Sequence, residues 1–178
     1  MAVRPTRGPG EDEPHLTVPA DALVELAGRL QAACIARGIT VATAESCTGG
    51  LVSHLLTEVP GSSAYLRGGI VAYADDVKRA ALGVRPDVLE AHGAVSAQVA
   101  LAMAEGVRER LGADLAVGVT GIAGPGGGTT AKPVGLVYIA VSDAQRTDVL
   151  QRTFRGPRQR VREWTAHQAL DLVRRKLM

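Results

Sequence analysis

The chain has 178 residues, with 20 Lys and Arg against 18 Asp and Glu, giving a formal net charge of +2. So small a bias gives no basis for a polyanionic partner. Hydrophobic residues make up 46% but aromatics only 3%, which suits one domain cored by Ala, Val, Leu and Ile and argues against a base-stacking nucleic-acid surface.

Residues 1–17 are rich in Pro, Gly and charge and read as a disordered tail before a domain over 18–178. A helix is predicted from Pro19 to Arg37, where Leu23, Leu26, Ala27, Leu30, Ala33 and Cys34 share one face and Gly38 stops it. A strand follows over Thr40–Ala44. Next comes the turn Glu45-Ser46-Cys47-Thr48-Gly49-Gly50, and then a helix to Glu58 with Leu51, Val52, Leu55 and Leu56 at helical spacing. Gly69–Tyr73 reads as a strand. A short helix carrying Lys78 follows, capped by Asp75 or Asp76, and another spans Pro86–Ala91. Ser96 caps an amphipathic helix to Leu111. Leu115–Val119 is a buried strand opening into a glycine-dense loop, Thr120 to Gly128. Val134–Val141 and Val149–Phe154 are hairpin-linked strands, and Arg158–Leu177 is the last helix. The pattern predicts a three-layer α/β/α sandwich on a mixed sheet.

The serine turn places Ser46, Cys47 and Thr48 near a helix N-terminus, where unpaired amides favour negative charge. Ser46 can cap the helix, hold an anion or attack a carbonyl. Thr48 is an alternative cap, and Cys47 is a rival nucleophile lacking a recognisable His partner. Tyr73 and Lys78 are rim residues if isolated; beside Ser46 they supply an acyl-transfer site. Their Tyr-x-x-x-x-Lys spacing differs from the Tyr-x-x-x-Lys of short-chain dehydrogenases, and no Gly-x-Gly-x-x-Gly follows the first strand. The Thr120–Gly128 loop lets backbone amides approach an anion, although it lacks the Gly-Lys-Ser/Thr of a P-loop. Lys132, Arg155 and Arg158 are candidate phosphate or carboxylate contacts. Cys34 and Cys47 do not make a disulfide framework, and the four histidines show no metal-ligand spacing. No apolar run approaches membrane-spanning length and the N-terminus lacks a secretory h-region, so a cytoplasmic protein is expected.

In order along the chain, Ala44-Glu45-Ser46-Cys47-Thr48-Gly49-Gly50, Gly61-Ser62-Ser63, Gly69-Ile70-Val71-Ala72-Tyr73 with Lys78, Gly93-Ala94-Val95-Ser96, Thr120-Gly121-Ile122-Ala123-Gly124-Pro125 and Lys132-Pro133-Val134-Gly135 resemble the CinA C-terminal-domain family. The resemblance runs from about Leu23 to the C-terminus. The longer partner domain of such proteins has no counterpart here, so a stand-alone form is expected. The resemblance implies deamidation of nicotinamide mononucleotide to nicotinate mononucleotide and ammonia, in pyridine nucleotide salvage, without metal or cofactor. It makes Ser46 the nucleophile, Tyr73 and Lys78 the proton-transfer partners and Arg158 a basic substrate-site residue. Glu45, Thr48, Gly49, Gly50, Thr120, Gly121 and Gly124 complete the expected substrate-binding set. It also implies a homo-oligomer acting on a small nucleotide, away from nucleic acid and membrane. Two proton routes stay open: neutral Lys78 takes the serine proton, or charged Lys78 supports Tyr73 as base. A nucleotide-binding module without hydrolysis is the alternative function.

Overall fold

A computed structural model describes residues 18–178 together with the backbone of Thr6–Arg7. The remainder of the expected tail, 1–5 and 8–17, lies outside the described residues. Thr6–Arg7 is a two-residue strand, β1. It is followed by α1 (Ala20–Arg37), β2 (Val41–Glu45), α2 (Leu51–Thr57), β3 (Leu66–Val71), α3 (Asp75–Leu82), α4 (Pro86–His92), α5 (Ala97–Leu111), β4 (Leu115–Gly121), β5 (Leu136–Ser142), β6 (Thr147–Thr153) and α6 (Arg158–Lys176). The strands form one sheet in the order β1-β6-β5-β4-β2-β3. β3, β2 and β4 run parallel, whereas β5 is antiparallel to both β4 and β6. The mixed three-layer sandwich expected from the sequence is the fold observed.

Side chains alternate across the sheet and sort into two unlike layers. Leu115, Val117, Val119, Val137, Ile139 and Val141 meet α1, α2 and α6, in a core that includes Leu30, Leu56, Val161 and Leu170. On the other face the strands offer mainly small residues, Ala42, Ala44 and Ala116 in one cluster and Ala140 in the next. These let α5 lie close. A Cβ on Gly118 would come 2.5 Å from the Ala100 carbonyl oxygen and 2.6 Å from the Ala104 nitrogen. This layer is built mainly from small side chains, with the partly buried Tyr138 packed against them. Burial of a Leu or Val side chain contributes about 1.5–3 kcal/mol, so the wider Val/Leu layer carries much of the stabilisation.

Most element ends follow local rules. Ser96 Oγ accepts from Val99 N–H at 3.2 Å, as a cap should. Gly38 ends α1 in the left-handed conformation at φ 64°. Other expectations need correction. β3 starts at Leu66 and stops at Val71, which leaves Tyr73 beyond the strand. β2 and β4 extend further, to Glu45 and Gly121. β5 begins only at Leu136, because the Gly135 N–H turns back to the Ile122 carbonyl. Neither Asp75 nor Asp76 caps α3: both lie within its first turn, and its N-cap position is Ala74. Their charge still favours that end through the helix dipole. No helix among the described residues is long and apolar enough to cross a membrane.

The connection order positions the site. From β2 the chain passes through α2, on one face, to edge strand β3. It then passes through α3–α5, on the opposite face, to β4 on the other side of β2. The C-terminal ends of β2 and β4 thus flank a topological switch point, where open α/β sheets leave a crevice for ligands.

Candidate active site

Ser46 directly follows β2 at this crevice and is largely buried. Its N–H donates to the Val119 carbonyl of β4 at 3.0 Å, and its carbonyl accepts from Gly49 N–H at 3.0 Å. The tight turn needs left-handed backbone at Gly49 (φ 61°) and Gly50 (φ 94°), which glycine adopts without a steric penalty.

Glu45, not Ser46 or Thr48, caps α2. Its side chain is fully buried and reaches over the turn. Oε2 accepts from Gly50 N–H (3.0 Å) and Val52 N–H (3.1 Å), and Oε1 from Ser53 N–H and Oγ, both at 2.8 Å. Ser53 Oγ in turn pairs with Thr43 Oγ1. A carboxylate with four donors is stable away from water. Glu45 is therefore a support beneath the turn, which corrects its expected place among the substrate contacts.

The other side of the turn is held from α6. Arg162 donates through Nε (3.1 Å) and Nη2 (2.7 Å) to the Thr48 carbonyl. Gly49 and Gly50 were expected to offer their amides to a ligand, but those amides are occupied by Ser46 O and Glu45. The amides of Cys47 and Thr48 donate to no oxygen among the described residues. Of the amides of Thr48, Gly49 and Gly50 only that of Thr48 remains available, joined by that of Cys47. Thr48 Oγ1 is buried without a hydrogen-bond partner.

Cys47 is buried. Burial, the largest influence, pushes its thiol up to about 12, with Glu45 adding in the same direction against Arg158 and Arg162. A thiol so raised is protonated at neutral pH. Cys34 is likewise buried and pushed to about 11, and both cysteines are free.

Tyr73 and Lys78 are neighbours, but through the backbone. Lys78 is 1% exposed, and its Nζ donates to the Tyr73 carbonyl (2.8 Å) and to Asp75 Oδ1 (3.3 Å). The Tyr73 ring is 58% exposed, and its hydroxyl accepts from Arg158 Nη2 at 3.1 Å. Arg158 Nη1 donates to the Gly124 carbonyl at 2.9 Å. Arg158 thus ties the segment after β3 to the loop after β4, across the mouth of the crevice. Ser46 Oγ has no hydrogen bond among the described residues.

Other expected contacts bond within the protein or face solvent. Thr120 Oγ1 donates to the Ala94 carbonyl at 2.8 Å. Gly121 lets β4 approach β5, since a Cβ there would lie 2.5 Å from Val137 Cγ1. Lys132 Nζ donates to the His92 carbonyl. Arg155 is exposed. Sequence reasoning missed Arg162, although Arg158 and Arg162 stand one helical turn apart and so share a face. It also missed Ser53 but already placed nearby the Asp75 that bonds Lys78. No cluster of three or more His, Cys, Asp or Glu side chains is placed to hold a metal among the described residues.

A serine on a strand-to-helix turn, at the switch point of a mixed α/β/α sandwich, defines a class of small-ligand site. Residues 23–177 match the CinA C-terminal domain, and the chain belongs to that family. It is 57% identical over 142 residues to a CinA-like protein of Acidobacterium capsulatum, covering 80% of this chain and 34% of that protein. A CinA-like protein of Koribacter versatilis is 54% identical over 142 residues, with 80% and 34% covered. The chain spans about a third of the length of these curated relatives. Among solved structures, the competence/damage inducible protein CihA from Agrobacterium tumefaciens superposes with a TM-score of 0.83 at 44% identity, covering 90% of this chain and 98% of that one. The CinA superfamily protein from Enterobacter cloacae gives 0.85 at 32% identity, with 96% and 100% covered.

Proposed function

We propose that the protein is an amidohydrolase that deamidates nicotinamide mononucleotide to nicotinate mononucleotide and ammonia through Ser46, in pyridine nucleotide salvage. The observation that carries this reading is the convergence of Ser46, Tyr73, Lys78 and Arg158 where β2, β3 and β4 end. The substrate's pyridinium ring withdraws electrons from its carboxamide, making that carbon a better electrophile than a peptide carbonyl.

In the first half-reaction Ser46 Oγ bonds to the carboxamide carbon and the C=O electron pair moves onto oxygen. The Cys47 and Thr48 amides donate to that oxyanion, each worth about 3–4 kcal/mol by analogy with other oxyanion holes. Tyr73 takes the serine proton and delivers it to the amide nitrogen, the C–N bond breaks and ammonia leaves. Water then adds to the nicotinoyl ester and gives up a proton to Tyr73, which passes it to Ser46 Oγ as the ester C–O bond breaks. Lys78 Nζ is committed to Asp75 Oδ1 and the Tyr73 carbonyl, which fixes the segment that carries Tyr73. That supports the route in which Tyr73 takes the serine proton.

The test is ammonia release from nicotinamide mononucleotide by purified protein and by Ser46→Ala. Turnover by the wild type and a loss of at least a thousandfold in the variant are expected; near-normal turnover by Ser46→Ala refutes the covalent route. One observation favours a second reading, a nucleotide-binding module: among the described residues no base touches Ser46 Oγ, although catalytic hydrogen bonds often tighten only with substrate bound. Binding of the mononucleotide without ammonia release selects that module.

A further inference from the structure

Alternate residues of a strand share a face, and Val41, Thr43 and Glu45 of β2 share the one that meets α2. Val41 belongs to the apolar core there, but Thr43 places a fully buried hydroxyl between that core and the Glu45 carboxylate. This hydroxyl meets Ser53 Oγ in the first turn of α2, and Ser53 Oγ donates to Glu45 Oε1 at 2.8 Å. An ionised carboxylate only accepts, and each hydroxyl has a single proton to give. The direction of the chain is therefore fixed: Thr43 donates to Ser53, and Ser53 donates to Glu45. The neighbouring edge strand leaves room for it. Gly69 of β3 pairs with Thr43, and a Cβ there would lie 2.3 Å from Thr43 Oγ1 and 2.4 Å from Ser53 Oγ. Any side chain at this position drives the two hydroxyls apart. Valine at 43 and alanine at 53 would fill nearly the same space without burying polar atoms, which cost free energy unless bonded. The two hydroxyls and the glycine beside them thus serve the carboxylate rather than the packing.

We propose that Ser53 is a positioning residue for the serine turn, acting through Glu45, with Thr43 holding its hydroxyl in place. The inference rests on the amidase reading for what the turn does, whereas the positioning itself is a matter of this network alone. Glu45 Oε2 holds the Gly50 and Val52 amides, and Oε1 is held by Ser53 through its amide and its hydroxyl. The last torsion of a glutamate side chain is broad, so a carboxylate oxygen left with one donor turns readily. Without Ser53 Oγ the carboxylate rotates, Oε2 leaves the Gly50 amide, and the Cys47–Thr48 stretch shifts relative to Ser46. The oxyanion that those two amides meet exists only beyond the ground state. Misplacing them therefore lowers kcat and leaves KM alone.

The experiment compares the full chain with Ser53→Ala, Ser53→Thr and Gly69→Ala. Hydrogen exchange of the Gly50 and Val52 amides is followed by NMR, with Val107 in the α5 core as control, and kcat and KM are measured for ammonia release from nicotinamide mononucleotide. Ser53→Ala speeds exchange at Gly50 and Val52 and lowers kcat, each by roughly tenfold, the scale of one charge-assisted hydrogen bond. KM and exchange at Val107 stay unchanged. Gly69→Ala, which spreads the hydroxyls without removing either, does the same, and Ser53→Thr, which keeps the hydroxyl, behaves as wild type. Unchanged exchange and kcat in Ser53→Ala, or a loss in Ser53→Thr as large as in Ser53→Ala, overturns the proposal. So does exchange that rises equally at Val107, the mark of a merely structural role. Ammonia release that Ser53→Ala leaves intact overturns the positioning and keeps the amidase. A wild type that releases no ammonia overturns the amidase, and amide exchange at Gly50 and Val52 then decides the positioning by itself.

Discussion

Replacing Glu45 by Gln tests whether a buried carboxylate holds the serine turn. The native side chain accepts from three backbone amides, those of Gly50, Val52 and Ser53, and from Ser53 Oγ. A glutamine keeps one oxygen acceptor, and its NH2 group faces donors at the other position. If its oxygen stays with Ser53, the amides of Gly50 and Val52 lose their acceptor. Hydrogen bonds to a charged group contribute about 1.5–3 kcal/mol each, and stranded buried donors cost a similar amount. Two lost bonds therefore predict destabilisation by about 3–6 kcal/mol, and water cannot compensate at a fully buried position. For a chain of 178 residues, that is a fall in Tm of about 10 °C. Urea denaturation of wild type and Glu45→Gln, followed by circular dichroism, measures the difference. A change below about 1 kcal/mol would refute the view that Glu45 is the cap on which the turn depends.

Three further outcomes follow from the same structure. Thiol reagents at pH 8 should modify neither Cys47 nor Cys34 in the native protein, because burial pushes these thiols to about 12 and about 11; rapid native-state labelling contradicts that. Gly118→Ala should destabilise by about 1–3 kcal/mol, since its methyl group meets the α5 backbone at 2.5 Å; unchanged denaturation would show that α5 can shift freely. Acid should destabilise below about pH 4. At Asp171, burial raises the carboxyl's pKa, but hydrogen bonds and charge from Arg174 and Arg175 win and hold it below the usual range. Thr40 lowers that of Asp114 through its hydroxyl and its amide. A lowered folded-state pKa means the unfolded chain binds protons first, so this stability is complete above the unfolded pKa of about 3.9 and is lost as pH falls toward the folded one. Asp171→Asn should flatten the fall in denaturation midpoint between pH 5 and pH 3.

What the sequence disclosed was whatever depends on nearby residues. Ser96 caps α5 because the acceptor and the Val99 amide lie three positions apart, which a reader can count. The Val-rich β4 and the periodic α1 were legible for the same reason. Glu45 was not, because its carboxylate reaches from the end of one element into the first turn of the next. No capping pattern places an acceptor five residues before Gly50. The pairing of Tyr73 was misleading for a related reason. Sequence proximity pointed to Lys78, yet the lysine reaches only the Tyr73 carbonyl, and the hydroxyl meets Arg158, 85 residues away. Arg162 lies 114 residues from the carbonyl it holds, and only the docking of α6 brings the two together.

That docking gives α6 a part in the site beyond packing. Val161, Thr165, Ala166, Ala169, Leu170 and Val173 anchor the helix in the core, while Arg158 and Arg162 reach from its first two turns toward the crevice. Between them they touch the segments that follow three neighbouring parallel strands: Thr48 after β2, Tyr73 after β3 and Gly124 after β4. Each of those segments is connected by only short backbone to its strand, so their relative positions depend on what crosses between them. Two arginines one turn apart on an anchored helix supply that cross-connection. The low-exposure end of α6 sets where the charged end sits, so a cavity made at Leu170 should loosen the crevice as well as the core. Loss of Arg162, by contrast, should free the Thr48 carbonyl while leaving the core packing intact.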